Sequence, residues 1–102
     1  MRVIYVSGAY RGDVDANIEH ARQAAIRLWQ AGDYAVLTPH LNSAHMESLC
    51  GEEMFLTGDL ELLKRCDAIF MLNNYRSSAG GLKELALAKK LGLDIFYEME
   101  TS

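Results

Sequence analysis

Four short apolar runs alternate with three helical segments along this chain, and that alternation limits the fold more than any other feature. The runs are Val3–Val6, Tyr34–Thr38, Ala68–Leu72 and Asp94–Tyr97. They carry β-branched and aromatic residues and are bounded by glycine, proline or polar residues, which is how strands read. The first helical segment is capped by Asp13 or Asp15 and runs to about Ala31. Ile18, Ala21, Ala25, Leu28 and Trp29 share one face of it, as core or subunit interface. Gly32 suits the position just past its last turn. The second segment, Glu52 to Arg65, turns Phe55, Leu56, Leu60 and Leu63 inward, and Gly58 in its middle allows a close approach. The third starts at Ser78 and stops at Gly92. Residues 40–51 show no clear period.

The β-α-β-α-β-α-β order predicts a parallel sheet with right-handed crossovers and helices on both faces. The expected architecture is an α/β single domain, a flavodoxin-like or Rossmann-like three-layer sandwich. Its sheet should hold about four to five strands in the order 2-1-3-4, the order being an analogy with flavodoxin-like sheets. Residues 1–97 make up the domain, and the polar residues 98–102 are expected to fray. A chain of 102 residues suits one domain with a modest core.

In such sheets, ligands bind where the loops after neighbouring strands meet at the carboxyl edge. Two loops here fit. After strand three, Ser77-Ser78-Ala79-Gly80-Gly81 opens a helix, with Ser78 as its N-cap. A helix start offers unpaired N–H groups and the positive end of the dipole, a ready site for an anion. Glu84 follows Gly80 by about one turn. An ionised carboxylate beside an anion pocket could act as a nucleophile on a sugar phosphate, though helix starts of this composition also occur without ligands. After strand one comes Gly8-Ala9-Tyr10-Arg11-Gly12, in which Arg11 could fork onto a phosphate or stay solvated. Its spacing is not that of a dinucleotide fingerprint.

Composition removes several classes of function. The formal net charge of -4 gives no footprint for a nucleic-acid polymer, although a mononucleotide needs only a local pocket. Cys50 and Cys66 stand far apart, which suggests reduced thiols in a cytoplasmic protein. No run is long enough for a membrane span, and Met1–Val6 is too short for a signal peptide. His40, His45 and Glu47 match no standard metal spacing, so no metal is expected. His40, just past strand two, is a candidate pocket residue.

Taken together, Tyr5-x-Ser7-Gly8-x-x-Arg11-Gly12, Thr38-x-His40, Asp59-Leu60-Glu61, Asp67 and Ser78-x-Gly80-x-x-x-Glu84-Leu85-x-x-Ala88 resemble the nucleoside 2-deoxyribosyltransferase superfamily. The similarity spans Arg2 to Tyr97. It is greatest to the small branch of 2′-deoxynucleoside 5′-monophosphate N-glycosidases. The resemblance implies that Glu84 is the nucleophile at C1′ and that Asp59 positions the sugar and handles the proton of the base. It implies that Tyr5 stands beside the nucleophile. It assigns Ser7, Gly8, Arg11 and Gly12 to the 5′-phosphate loop, and Ser78 with Gly80 to a second phosphate contact. Transferases of free nucleosides usually carry an acidic residue at the Ser78 position. A hydroxyl there suits a phosphate better, which favours the monophosphate branch. Family enzymes continue past the fourth strand, and several complete a neighbour's site with that later segment.

The resemblance therefore implies cleavage, by hydrolysis or base transfer, of the N-glycosidic bond of a deoxynucleoside monophosphate through a glycosyl-Glu84 intermediate. No cofactor is required, and a homodimer or higher homo-oligomer is expected. The alternatives are a nucleotide-binding module without catalysis, or glycosyl chemistry on another nucleotide.

Overall fold

A computed structural model of the chain describes residues 1–99. Four parallel strands form its sheet: β1 (Arg2–Ser7), β2 (Tyr34–Leu37), β3 (Ala68–Met71) and β4 (Asp94–Tyr97). Their order is β2-β1-β3-β4, as the flavodoxin-like analogy predicts. Ile4 stands opposite Val36 and Ala68, and Phe70 opposite Phe96, which fixes the register. The helices are α1 (Val14–Ala31), α2 (Pro39–Asn42), α3 (Glu47–Cys50), α4 (Glu52–Lys64) and α5 (Ala79–Leu91). A 3₁₀ turn over Tyr75–Ser77 leads into α5.

Alternation along β1 divides the core into two layers. Tyr5 joins Leu63 of α4, Leu85 and Ala88 of α5, Cys66, Ile69 and Met71 on one face. Val6 and Leu72 pack against Ala21 and Ala24 of α1 on the other. The small alanines let α1 lie close to the sheet. Asp13 caps α1 by accepting from the Ala16 N–H at 3.1 Å, and Gly32 closes it in the left-handed region. Ser78 caps α5 by accepting from the Gly81 N–H at 3.0 Å.

Several local expectations change. Pro39 ends β2, as expected, but it also opens the single turn of α2, with Thr38 at the cap position. Proline suits a helix's first position because the N–H it lacks would be unpaired there. Trp29, on the face read as core or subunit interface, is exposed in the single chain, and the buried stripe of α1 runs through Ala21, Ala24 and Ala25. The close approach expected at Gly58 is absent: a Cβ there would meet nothing within 4 Å.

Glu98, first of the polar residues expected to fray, is bonded instead. Glu98 accepts from the Asn73 N–H at 2.9 Å and pairs with Arg27 at 2.8 Å and His20 at 2.6 Å. These bonds anchor it to α1 and to the end of β3. Residues 100–102 of the proposed tail lie outside the described residues. Both cysteines are free thiols. No helix among the described residues is long and apolar enough to cross a membrane.

Candidate active site

Glu84 projects from the second turn of α5 onto the end of β1 and is only 7% exposed. Tyr5 and Ser7 lie two residues apart on β1 and therefore face the same helix layer. The Tyr5 hydroxyl donates to Glu84 Oε2. The Ser7 hydroxyl donates to Glu84 Oε1 at 2.8 Å. Each carboxylate oxygen thus has its own donor, across 79 and 77 residues of sequence.

Burial disfavours the charge on Glu84 and pushes its pKa up to about 7. The two hydroxyls oppose that shift because they stabilise the ionised form, and the charge of Asp59 adds to it. Asp59, half-buried on α4, is raised to about 6 by burial. The Tyr5 phenol is raised strongly, first by burial and then by the negative charge of Glu84, so it stays a donor. The site therefore holds two carboxyls that titrate near neutrality, beside a phenol locked in its protonated form.

The loop after β1 is held from several sides. Asn17 of α1 donates to the Tyr10 and Arg11 carbonyls at 3.1 and 2.9 Å. Asn74, after β3, accepts from the Ala9 N–H at 3.0 Å and so ties the two ligand-edge loops together. The Tyr10 hydroxyl donates to Glu47 at 2.9 Å and accepts from the His45 N–H at 2.8 Å. Gly8 has to be glycine, since a Cβ would lie 2.7 Å from Leu72 Cβ and 2.8 Å from Asn74 Oδ1. Gly12 takes a positive φ of 96°, open to glycine without strain.

The expected site residues thus fall into groups. Tyr5, Ser7 and Glu84 meet directly, and Asp59 is near enough to act on both Tyr5 and Glu84. Ser78 and Gly80 form the start of α5. The Ser78 oxygen accepts from the Gly81 N–H within the cap. Arg11 is exposed and ion-paired with Glu52 at the start of α4. His40 is buried behind the β1 loop. Its Nε2 bonds the Ala9 carbonyl at 2.9 Å, and burial lowers its pKa. His45 turns to Asp15 at 3.0 Å while Glu47 serves Tyr10, so the three residues weighed for a metal go to different partners.

Sequence reasoning missed Asn17, Asn74 and Tyr10. Their partners lie on other elements, and an isolated asparagine carries no signal of which loop it will hold. Two open depressions, about 390 and 690 Å³, lie beside β4 and share Asn73, Tyr97 and Glu98 in their linings.

The chain is thus an α/β protein of the flavodoxin-like class, with a buried, hydroxyl-bound carboxylate at the carboxyl edge of its parallel sheet. Within that class, residues 2–97 match a family described as a domain of unknown function (DUF4406), and the chain belongs to this family. A solved structure of a 2-deoxyribosyltransferase from the psychrotolerant bacterium Bacillus psychrosaccharolyticus is similar in fold, with a TM-score of 0.72. The two are 22% identical, and the match covers 97% of this chain and 77% of that one. A comparison with curated proteins finds no match.

Proposed function

We propose that this protein cleaves the N-glycosidic bond of 2′-deoxynucleoside 5′-monophosphates, by hydrolysis or by transfer to a second base. The observation that carries the reading is the buried Glu84 carboxylate, held oxygen by oxygen by Tyr5 and Ser7 beside the half-buried Asp59. The fold shared with a deoxyribosyltransferase supports it.

In the first step, a Glu84 oxygen forms an ester bond to C1′ as the bond from C1′ to the base nitrogen breaks. The electron pair leaves with the base, and Asp59 supplies the proton that neutralises it. Water, or the nitrogen of an acceptor base, then attacks C1′. The ester breaks, Glu84 recovers its carboxylate, and Asp59 takes up the proton released by the attacking group. Tyr5 keeps the carboxylate aimed throughout.

The 5′-phosphate is proposed to sit at the start of α5, near Ser78 and Gly80, with Arg11 and the Gly8–Gly12 loop as its second wall. Arg11 would exchange Glu52 for phosphate, a swap that costs little because an exposed ion pair is worth only about 0–1 kcal/mol. His40 supports that wall from behind through the Ala9 carbonyl. No cofactor takes part. The proposed setting is the cytoplasm, and the proposed assembly is a homodimer or larger homo-oligomer.

The test is chromatography of free base released from a panel of deoxynucleoside monophosphates, with nucleosides and ribonucleotides alongside. Release from the deoxymonophosphates alone, abolished in Glu84→Ala, is expected. Silence across the panel, with and without an acceptor base, while calorimetry still shows nucleotide binding, would favour a binding module instead.

A further inference from the structure

We infer that Ser7 is a positioning residue for the Glu84 carboxylate rather than a ligand of the substrate phosphate. This rests on the proposal that Glu84 is the nucleophile. Ser7 is the last residue of β1 and is 1% exposed. Strand alternation turns its side chain toward the α4–α5 layer, away from the solvated loop that follows. There its hydroxyl donates to Glu84 Oε1 at 2.8 Å, opposite the Tyr5 hydroxyl on Oε2.

A hydroxyl has one hydrogen, so Ser7 cannot donate to Glu84 and to a phosphate at once. Two donors on opposite oxygens fix the plane of the carboxylate as well as its direction, which a single phenol does not. They also favour the ionised, attacking form in a place where burial and Asp59 disfavour it. Among the described residues, the titratable groups facing Glu84 are Tyr5 from β1 and Asp59 from α4, with Cys66, just past α4, acting on Tyr5. None of these is cationic. Donor hydroxyls are therefore the means by which these residues keep Glu84 reactive.

The experiment is a ¹³C-carboxyl NMR titration of the free protein, with the Glu84 signal assigned by its loss in Glu84→Gln. In Ser7→Ala the Glu84 midpoint should rise by about one pH unit, because a hydrogen bond to a charged group is lost. Ser7→Cys, close in size and a weaker donor, should fall between. With a cleaved deoxynucleotide, kcat/KM on the acid side of the profile should fall by about tenfold, in step with the lost fraction of ionised Glu84. The preference for monophosphate over nucleoside should stay unchanged.

An unmoved or lowered midpoint in Ser7→Ala would overturn the inference. So would collapse of the monophosphate preference with the midpoint in place, which would return Ser7 to the phosphate loop. The titration needs no substrate. A protein that cleaves nothing on the panel would defeat the proposed reaction, while the titration would still decide whether Ser7 holds Glu84.

Discussion

At the scale of single residues, the site reverses the usual order of acid and base. The proposed nucleophile, Glu84, titrates at about 7 and the proposed acid, Asp59, at about 6. Activity needs Glu84 ionised and Asp59 protonated, so the pH–rate profile should be a bell with its top between those values. Asp59→Asn should remove the alkaline limb and lower kcat by about 10²- to 10⁴-fold. A plateau reaching pH 9 in the unaltered protein would contradict these roles. The same shift acts on stability. The folded pKa of Glu84 lies above its ordinary 4.5, so the folded state holds the extra proton between 4.5 and about 7. Stability contributed there is present at low pH and is lost as pH rises through that window. At 1.36 kcal/mol per pH unit the loss is on the order of 3 kcal/mol. Glu84→Gln, neutral at every pH, should therefore be more stable than the unaltered protein at pH 8 and nearly equal to it at pH 4.5, measured by urea denaturation. Glu84 itself stands out in the sequence as a carboxylate one turn past a glycine-rich helix start. The serine that holds it does not. Ser7 lies in a loop motif that reads as phosphate-binding, and only the pleat of β1 shows which way its hydroxyl turns.

At the scale of elements, periodicity carried most of the information. Every strand and each of the three long helices falls where apolar spacing and caps place it, because Asp13, Gly32, Ser78 and Gly92 act locally. Residues 40–51 are different. Two single turns, α2 and α3, are too short to show a period, and they are set by long-range bonds such as that from Tyr10 to Glu47. The end of β4 escaped for the same reason: Glu98 looks like a tail residue until α1 brings His20 and Arg27 to it. The glycines divide by environment, which their identity alone does not reveal. Gly8→Ala forces a methyl against the rigid Cβ of Leu72 and should cost about 1–3 kcal/mol in thermal or chemical unfolding. Gly58→Ala meets open space within α4 and should stabilise by about 0.5–1 kcal/mol. That open space belongs to the residue directly before Asp59 in α4. A raised KM in Gly58→Ala, with stability increased, would show that substrate occupies it.

At the scale of the whole molecule, the sheet is covered unevenly. On one face α4 and α5 bury Tyr5, Ile69 and Met71 completely. On the other, α1 packs against β1 and β2. Beyond it Phe70 is only half-buried, and its neighbour on β4, Phe96, is 43% exposed. Parallel sheets occur almost only with both faces covered, because their ladders and apolar rows tolerate water poorly. A second copy of the chain against the Phe70–Phe96 side would cover what the described residues leave open there, and it is the surface on which the proposed self-association should depend. Sedimentation at micromolar concentration should therefore give at least twice the chain mass. Phe96→Asp should reduce it to the monomer, since a carboxylate buried in an apolar interface without a partner is strongly disfavoured. The carboxyl edge of β4 also carries Glu98, which reaches the β1 loop through His20 and Asn74. Disrupting the interface should then lower base release along with mass. A monomeric wild-type protein would remove the proposed self-association, and a Phe96→Asp dimer of unchanged mass would place the interface elsewhere and remove β4 from any part in it.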